Sequence, residues 1–396
     1  MSNIFIVDAI RTPVGKAPKG VFKNAGPDDL LIHTIKGIQT RNASIDFKEI
    51  SDIVIGCAMP EAEQGMNVAR IAALLADIPN SVPAMTINRF CASGVQSIAT
   101  AVSEMINNDL PFALAGGVES MSKVPMGGNK YTANPKIFSN EHVAIAYGMG
   151  ITAEYVAKKW QISREQQDEF AATSHQRAIA AQKRGDFNDE IYPIEICKRS
   201  VNLIKEEVIT KQVCVQNDEG PRADTSYDAI AKLKPVFAQN GTVTAGNSSQ
   251  MSDGAAIALL ATEKAVKKFQ LKPIGRLLSY AVAGVPPEIM GIGPIKAIPI
   301  ALKKANLTLA QIDWVELNEA FAAQALAVIK ELELPRDKVN PLGGAIALGH
   351  PLGATGTIRT ATLLHGLKRI NKRYGMVTMC IGTGMGAAAI FESITA

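Results

Sequence analysis

The sequence FCASG at residues 90–94 has a counterpart in the sequence GHPLG at residues 349–353. Each stretch places a reactive side chain, Cys91 or His350, three residues before a glycine. The residues that follow the first stretch carry apolar side chains at spacings of three and four, which is the period of a buried helix, and a second helix is predicted after the other. Both reactive side chains are therefore predicted to lie at the head of a helix.

The strands predicted around these helices repeat in the same order. The sequences DIVIG at residues 52–56 and DWVEL at residues 313–317 read as buried strands. Strands closed by glycine-rich turns are predicted after the helices, at residues 112–115 and 376–379. The first strand begins 39 residues before Cys91, and its counterpart begins 37 residues before the histidine. The matching distances predict two copies of one strand–helix–strand unit in an α/β protein.

Length and composition limit the classes of protein that need to be considered. The chain has 396 residues, more than the roughly 250–300 that one hydrophobic core organises, so two or more lobes are expected. With 47% hydrophobic and 20% charged residues it is neither disordered nor fibrous. A net charge of +4 is too balanced for nucleic-acid binding by charge alone. There is no uninterrupted run of 18 apolar residues, which predicts no membrane span.

The sequence carries no targeting or metal-binding signal. A predicted strand begins at Ile4, which leaves no room for a transit leader, and the final tripeptide ITA differs from the peroxisomal signal SKL. The five cysteines form no CxxC pair and no metal-ligand spacing, and their odd number argues against a disulfide framework. We therefore expect a reduced, cytoplasmic protein without a metal site.

Residues 121–250 differ in composition from the rest of the chain, since they are rich in Pro, Asn, Lys and Glu. They include a predicted helix with a capping box from Ser163 to Gln166 and an end at Gly185. This region reads as an excursion from the core that covers a cleft. The predicted domains are a first half (residues 1–120 with 251–270), an inserted loop domain (121–250) and a second half (271–396).

Cys91 and His350 are the strongest candidates for chemistry. The N–H groups and dipole at a helix N-terminus favour a thiolate, so we expect a lowered pKa for Cys91. The alternative is that Cys91 is a small buried apolar residue. His350 lies in residues 343–356, which contain five glycines, and it is the only good general-base candidate among the five histidines.

Two further stretches carry polar or reactive groups. Cys380 opens the sequence CIGTGMG, whose glycines do not match a dinucleotide fingerprint and are followed by only ten residues. A tight turn that offers backbone N–H groups to an oxyanion fits this sequence better. Asn318 and Glu319 follow a predicted strand and offer an amide and a carboxylate where α/β sites form. A role as a helix N-cap is compatible with that position.

Taken together and in this order, four motifs resemble the thiolases, which are acyl-CoA:acetyl-CoA C-acyltransferases. They are NRFCASG at residues 88–94, NEAFA at residues 318–322, the Gly-His-Pro segment around His350 and the turn that begins at Cys380. The resemblance extends from residues 6–13 to Phe391. It implies a duplicated five-layer α/β/α/β/α fold with a loop domain inserted in the first half.

The resemblance also implies a catalytic role for each motif. Cys91 corresponds to the nucleophile that becomes acylated, and His350 to the base that takes its proton and then polarises the thioester oxygen. Cys380 corresponds to the second acid/base, which moves a proton to or from C2 of the acetyl unit. Asn318 would hold a water that completes one oxyanion hole with His350. The backbone N–H groups of Cys91 and Gly382 would form the other.

Substrate binding is implied in the same way. Arg222 would contact the nucleotide end of CoA, Ser249 the pantetheine arm and Met149 the acyl group, while Ala320 and Phe321 would complete the substrate site. No tightly bound cofactor is implied, because CoA and acyl-CoA are substrates. Basic residues that suit a polyanionic ligand, or that are simply solvated, are Lys198, Arg199, Lys205 and Lys211.

Within the family the sequence favours the degradative 3-ketoacyl-CoA thiolases. Gly148 stands where acetoacetyl-specific enzymes usually have a histidine, and the turn after Cys380 reads Ile-Gly-Thr-Gly in place of Ile-Gly-Gly-Gly. An acetoacetyl-CoA-specific acetyltransferase is the alternative. Two other classes fit the sequence less well. A non-catalytic lipid carrier would lack a catalytic residue, whereas Cys91, Asn318, His350 and Cys380 are all present. A ketosynthase usually has a histidine at the position of Cys380. The expected partners are a second copy, in a homodimer or homotetramer, and a hydratase/dehydrogenase subunit of a fatty-acid β-oxidation complex.

Overall fold

The computed structural model describes residues 3–130, 132–202 and 206–394. The strands are β1 (Ile4–Arg11), β2 (Gly15–Lys16), β3 (Ile50–Gly56), β4 (Ala84–Ile87), β5 (Phe112–Ser120), β6 (Ile194–Asn202), β7 (Glu207–Val215), β8 (Ser252–Thr262), β9 (Gly275–Gly284), β10 (Trp314–Leu317), β11 (Tyr374–Ile381) and β12 (Met385–Ser393). The helices are α1 (Pro27–Arg41), α2 (Val68–Leu75), α3 (Ser93–Asn108), α4 (Met149–Trp160), α5 (Arg164–Arg184), α6 (Tyr227–Ala231), α7 (Glu263–Lys268), α8 (Gly293–Ala305), α9 (Ala322–Glu331), α10 (Ala345–Leu348) and α11 (Leu352–Arg369).

The order of these elements repeats. The first half runs β1–α1–β3–α2–β4–α3–β5–β8, and the second runs β9–α8–β10–α9–α11–β11–β12. Strand order is β4-β3-β5-β8-β1 in one half and β10-β11-β12-β9 in the other. A parallel bridge between Val315 and Val339 takes the position that β4 occupies in the first half. The halves join where Ile6 of β1 pairs with Gly275 of β9. The predicted duplication is confirmed.

The halves stack as five layers. Helices α3 and α11 pack together in the middle, α1 and α2 cover one outer face, and α8 and α9 cover the other. Strand β3 illustrates why its sequence is apolar throughout. Val54 packs in the central core, whereas Ile53 and Ile55 pack in the outer core. A strand that is buried on both faces needs a continuous apolar run rather than an alternating one.

Two glycines set how closely the central helices approach. A Cβ added to Gly356 of α11 would lie 2.2 Å from the Val95 backbone nitrogen, and one added to Gly94 of α3 would lie 2.8 Å from the Thr357 nitrogen. The helices therefore cross backbone to backbone near their N-terminal ends. This crossing brings together the residues that precede the two helices, which include Cys91 and His350.

A second glycine pair corrects a strand boundary. Gly116 and Gly117 were expected to close the strand that begins at Phe112, but β5 continues to Ser120. A Cβ at Gly117 would lie 2.1 Å from the Gly353 carbonyl oxygen, and one at Gly116 would lie 2.3 Å from the Ala256 carbonyl oxygen. These glycines permit close packing of backbones inside the sheet and against α11, and they do not form a turn.

The chain between β5 and β8 leaves the core and packs over the second half. Helix α4 packs against α9, and α5 packs against α9 and α10. The predicted capping box is present, since the Ser163 side chain accepts from the Gln166 N–H, and α5 ends at Gly185 with φ of +77°. Strands β6 and β7 form a separate hairpin. Among the described residues, no helix is long and apolar enough to cross a membrane.

Candidate active site

Cys91 lies at the head of α3, in a short 3-10 turn from Phe90 to Ala92. The turn requires Phe90 to adopt φ of +44°, a conformation that side chains other than glycine rarely take. The Cys91 side chain is half-buried and faces a cavity of about 570 Å³. The Gly382 backbone N–H, from the turn between β11 and β12, lies at the same cavity and favours the Cys91 thiolate. The structure thus brings two of the predicted catalytic groups together.

The predicted lowering of the Cys91 pKa is wrong. Burial raises the pKa of the Cys91 thiol to about 11, and the negative charge of Glu119 adds to this effect. Hydrogen bonds from the N–H groups of Gly382 and of Cys91 itself act in the opposite direction. Helix α3 begins two residues after the thiol, at Ser93, and its N-terminus does not compensate for the loss of water. The resting thiol is protonated at neutral pH and needs a base to become a nucleophile.

His350 is buried at the head of α11, and its hydrogen bonds assign the tautomer. The Thr355 hydroxyl donates its proton to the Pro351 carbonyl oxygen at 2.8 Å. The Thr355 hydroxyl oxygen also lies 2.6 Å from His350 Nδ1. Because that hydroxyl has only one proton, Nδ1 must donate to it, which leaves the Nε2 lone pair free to accept. Burial, with a smaller contribution from Arg359, lowers the pKa of His350 to about 3. The imidazole is therefore neutral and suited to act as a base.

Asn318 follows β10 and lies beside the histidine. Its Nδ2 group is 3.3 Å from His350 Nε2, and its backbone N–H donates to the Thr378 carbonyl oxygen. The Asn318 Oδ1 atom is buried and has no hydrogen-bond partner among the described residues. An unpaired buried acceptor is usually satisfied by an ordered water. Glu319, in contrast, accepts hydrogen bonds from the side chains of Ser174 and Asn340, so it stabilises the fold.

Cys380 is fully buried near the end of β11. Burial raises the pKa of its thiol well above the ordinary value, and the nearby Cys91 adds to this effect. Cys380 packs in a small apolar cluster with Met149, Ala320 and Phe321. The structure therefore brings three of the predicted substrate-binding residues to the second cysteine.

The cavity at Cys91 has a predominantly apolar wall. Gly382 and Met149 line it together with Cys91. The inserted region supplies apolar side chains that are exposed at its mouth, including Phe138 and Met126. Its other apolar lining side chains are Ala58, Met59, Pro60, Phe90, Ile137, Ile145, Ala146 and Leu352.

Arg222 lines a separate cavity of about 320 Å³, together with Lys16, His175 and Ser248. His175 Nδ1 accepts a hydrogen bond from the Arg222 backbone N–H at 3.2 Å. Ser249 follows Ser248, and its backbone N–H donates to the Ala320 carbonyl oxygen at 2.9 Å. Ser249 therefore lies between the Arg222 cavity and the cluster around Cys380.

The other basic residues of the inserted region are not part of this cavity. Lys198 and Lys211 lie opposite each other on the β6–β7 hairpin and face a groove against α1. Arg199 lies on the same strand as Lys198, and Lys205 lies outside the described residues. The structure does not bring the hairpin lysines to Arg222.

Sequence reasoning missed three residues near the site. Thr355, which fixes the tautomer of His350, lies five residues after it in the glycine-rich stretch. That spacing alone did not indicate a contact between the two side chains. His175 was passed over when His350 was chosen among the five histidines, although it lines the Arg222 cavity. Glu119 is a buried carboxylate whose charge acts on Cys91. Thr355 contacts His350 through a local turn at α11. His175 and Glu119 instead come close to Arg222 and Cys91 only because the fold brings distant segments of the chain together.

Comparison with known proteins agrees with this geometry. Residues 4–264 match the thiolase N-terminal domain, and residues 271–393 match the thiolase C-terminal domain. The chain is 50% identical over 395 residues to a Bacillus subtilis protein named 3-ketoacyl-CoA thiolase, covering 99% of this chain and 100% of the relative.

Two further relatives extend the comparison. The mouse protein named 3-ketoacyl-CoA thiolase A, peroxisomal, is 46% identical over 99% of this chain and 91% of its own length. The crystal structure of the Bacillus anthracis acetyl-CoA acetyltransferase superposes with a TM-score of 0.89 at 38% identity, and the match covers 100% of this chain and 99% of that one. The duplicated fold, the paired helix heads and these relatives together establish that the chain belongs to the thiolase family.

Proposed function

We propose that this acyltransferase cleaves 3-ketoacyl-CoA with CoA, releasing acetyl-CoA and an acyl-CoA shortened by two carbons. The observation that carries the proposal is the pairing of the two helix heads. Cys91 lies beside Gly382 at an apolar cavity, and His350 is held neutral with Nε2, next to the Asn318 amide, as its acceptor nitrogen. The relatives named 3-ketoacyl-CoA thiolase support the same reaction.

In the first half-reaction, the Cys91 thiol gives its proton to His350 Nε2, and the thiolate attacks C3 of the 3-ketoacyl group. The N–H groups of Cys91 and Gly382 stabilise the negative charge on the C3 oxygen. The C2–C3 bond then breaks, leaving an acyl thioester on Cys91 and an enolate of acetyl-CoA. Cys380 protonates C2 of that enolate. His350 and a water on Asn318 Oδ1 stabilise the enolate oxygen.

In the second half-reaction, CoA regenerates the enzyme. The CoA thiol gives up its proton to the Cys380 thiolate, and its sulfur attacks the acyl-Cys91 thioester. The tetrahedral intermediate collapses to acyl-CoA and the Cys91 thiolate, which recovers its proton from His350. A protonated, buried Cys380 in the resting state fits this sequence, because the group must begin as an acid.

The substrate would bridge the two cavities. We assign the nucleotide end of CoA to the cavity that contains Arg222, the pantetheine arm to the segment at Ser249, and the acyl chain to the cavity at Met149. Ala320 and Phe321 would pack against the thioester end, because they cluster with Cys380. CoA and acyl-CoA are substrates in this proposal, and no tightly bound cofactor is part of it.

The lining of the cavity at Cys91 bears on the length of the acyl chain that the enzyme accepts. A cavity with exposed apolar side chains at its mouth suits acyl chains longer than acetoacetyl, because each buried methylene contributes about 0.8 kcal/mol. At Gly148 an added Cβ would meet no atom within 4 Å, so the absence of a histidine there leaves open space. The Bacillus anthracis relative carries the name acetyl-CoA acetyltransferase, and acetoacetyl-CoA specificity is therefore the alternative to exclude.

We also propose a homodimer formed along β4, the edge strand of the first half. Met66 and Leu75 beside this edge are 93% and 54% exposed, and apolar side chains beside an open strand edge are typical of an interface. A homotetramer, docking to a hydratase/dehydrogenase subunit in β-oxidation and a cytoplasmic location also belong to the proposal. So does the division into residues 1–120 with 251–270, 121–250 and 271–396.

The decisive experiment compares thiolysis of acetoacetyl-CoA and 3-ketodecanoyl-CoA side by side, with Cys91→Ala as the control. We expect efficient cleavage of both substrates by the native enzyme and a loss on the order of 10⁴-fold or more in the variant. Cleavage of acetoacetyl-CoA alone would keep the mechanism and overturn the 3-ketoacyl-CoA assignment. Activity that survives in Cys91→Ala would overturn the mechanism itself.

A further inference from the structure

The carboxylate of Glu119 is the centre of a buried hydrogen-bond cluster that the catalytic steps above do not use. Glu119 lies near the end of β5 and has no exposed surface. It accepts hydrogen bonds from the backbone N–H groups of Ala58 at 2.8 Å, Met59 at 3.2 Å and Gly353 at 2.8 Å. The Gln64 side-chain amide donates a fourth, at 2.7 Å.

This cluster satisfies the ionised form of Glu119. All four partners are donors, whereas a protonated carboxyl group would need an acceptor for its own proton. The Cys57 thiol, 3.9 Å from the carboxylate, can also donate. Burial raises the pKa of Glu119 above its ordinary value, and the four hydrogen bonds act in the opposite direction. Gly353 is the second residue of α11, so the helix dipole also favours a negative charge here.

The partners of Glu119 belong to the two sides of the active site. Ala58 and Met59 line the cavity that contains Cys91, and Gly353 lies three residues after His350 at the head of α11. One carboxylate therefore joins the wall of the nucleophile's cavity to the helix head that carries the base. The bonds to Ala58 and Gly353 connect residues separated by 61 and 234 positions in the chain.

Cys91 lies against the residues that this cluster holds. It packs on Ala58, Met121 and Leu352. Ala58 is itself a hydrogen-bond partner of Glu119, Met121 follows Glu119 by two residues, and Leu352 precedes the partner Gly353. The Asn88 side chain extends the connection, because it donates to the Ala58 carbonyl oxygen at 3.0 Å and accepts from the Phe90 N–H at 2.8 Å. Phe90 immediately precedes the nucleophile.

We propose that Glu119 is a positioning residue for the thiolase reaction, with two effects. It fixes the Cys91 cavity wall to the head of α11, and its buried charge adds to the effect of burial in keeping the Cys91 thiol protonated until substrate binds and His350 takes the proton. The inference rests on the proposed function only in naming Cys91 as the nucleophile. A fixed negative charge near a thiol disfavours the thiolate.

Few other ionisable groups on the packed segments could produce the same effect. The Cys57 and Cys380 thiols are protonated, since burial raises the pKa of each. His350 is neutral. Glu61 is the remaining carboxylate on the cavity wall, and the Asn129 backbone N–H donates to it. Glu119 is thus the fully buried carboxylate, among the described residues, whose charge acts on Cys91 from behind the cavity wall.

Alkylation of Cys91 by iodoacetamide, followed by peptide mapping as a function of pH, tests the charge effect without measuring turnover. Glu119→Gln keeps the size of the side chain and removes its charge. We expect Cys91 in this variant to react several-fold faster at pH 8, because removal of a nearby negative charge lowers the pKa of the thiol. The matched control is Glu154→Gln, since Glu154 also accepts backbone N–H bonds, from Thr242 and Val243, and lines a different cavity.

A wild-type pH profile for Cys91 in Glu119→Gln would overturn the charge effect. Glu119→Asp tests the positioning effect, and it remains available if the first variant does not fold. It keeps the charge but is one methylene shorter, so we expect an unchanged alkylation profile, a several-fold lower kcat and an unchanged KM for CoA. Full kcat in Glu119→Asp would overturn the positioning role. Because alkylation is measured without catalysis, a failure of the charge effect is separable from a failure of the proposed function.

Discussion

The heads of α3 and α11 occupy equivalent positions in the two halves, yet their surroundings differ. Cys91 is half-buried at an open apolar cavity, and the Gly382 N–H faces its sulfur. His350 is 4% exposed and is held by side chains at both ring nitrogens. Duplication supplied two helix heads that meet because both helices carry a glycine at the crossing. One head is therefore accessible from a cavity, whereas the other holds a buried, neutral imidazole.

After the loss of Cys91 itself, the largest expected effect comes from removing the base side of this comparison. His350→Asn keeps a polar side chain at the head of α11 and leaves no group to take the Cys91 proton. We expect kcat/KM for thiolysis to fall by about 10² to 10⁴, the usual contribution of a general base. Steady-state kinetics with circular dichroism as a folding control measures it. A variant that keeps a tenth of the activity would show that another group accepts the proton.

The next largest effect is expected from a variant that tests whether the close crossing of α3 and α11 aligns Cys91 with His350. Gly356→Ala places a methyl group where the Val95 backbone nitrogen lies 2.2 Å away, so α3 and α11 must separate. We expect the free energy of unfolding to fall by about 1–3 kcal/mol and kcat to fall by up to about 10², because reacting groups become misplaced. Urea unfolding and kinetics on the same sample measure both.

Gly148→Ala is the matched control for that change. An added methyl group there meets no atom within 4 Å, although the position precedes Met149 in the acyl cavity. We expect wild-type stability and kcat. If both alanine variants behave alike, the close approach of the helices does not position the catalytic groups.

The sequence predicted those features that depend on local pattern. The duplicated unit, the two helix heads and the capping box of α5 all follow from spacing over a few residues. The thiol pKa could not be predicted in this way, because it depends on how much water the assembled fold removes from Cys91. The Gly116–Gly117 pair was interpreted as a turn because glycine at a strand end usually is one, and only the position of α11 reveals the close packing.

Interactions between distant segments account for the remaining differences. Glu119 and Gly353 are 234 residues apart, and no local pattern connects them. Lys198 and Lys211 were grouped with Arg222 because all three lie in the inserted region. The β6–β7 hairpin instead directs the two lysines toward α1. Composition distinguished the region from the rest of the chain but could not say which face each side chain occupies.

A smaller effect is expected when the support of the base is removed. Thr355→Val preserves the shape of the side chain and deletes the acceptor for His350 Nδ1–H. We expect kcat to fall about tenfold and the free energy of unfolding by about 1–3 kcal/mol, since a buried donor is left unpaired. Thr360→Val is the matched control, because Thr360 also donates to a backbone carbonyl four residues earlier, that of Gly356, but contacts no histidine. An equal loss of kcat in both variants would contradict the tautomer assignment.

The smallest expected effect is the response of His350 itself to pH. With a folded-state pKa of about 3, its imidazole stays neutral from pH 8 to pH 5, whereas an unperturbed histidine would titrate near 6.5. In ¹⁵N NMR spectra of histidine-labelled protein, the resonance that disappears in His350→Asn should not shift over this range. A midpoint near 6.5 would contradict the burial argument.

The same pKa difference makes His350 a source of acid sensitivity in the fold. The unfolded chain binds a proton at this histidine as pH falls through 6.5, and the folded protein does not until about pH 3. The unfolded state therefore binds more protons in this window, and the contribution of His350 to the free energy of unfolding decreases with falling pH. Comparing urea unfolding of the native protein and His350→Asn at pH 7.5 and 5.0 isolates this contribution. The native protein should lose more stability than the variant, and an equal loss in both would show that the buried imidazole is protonated without cost.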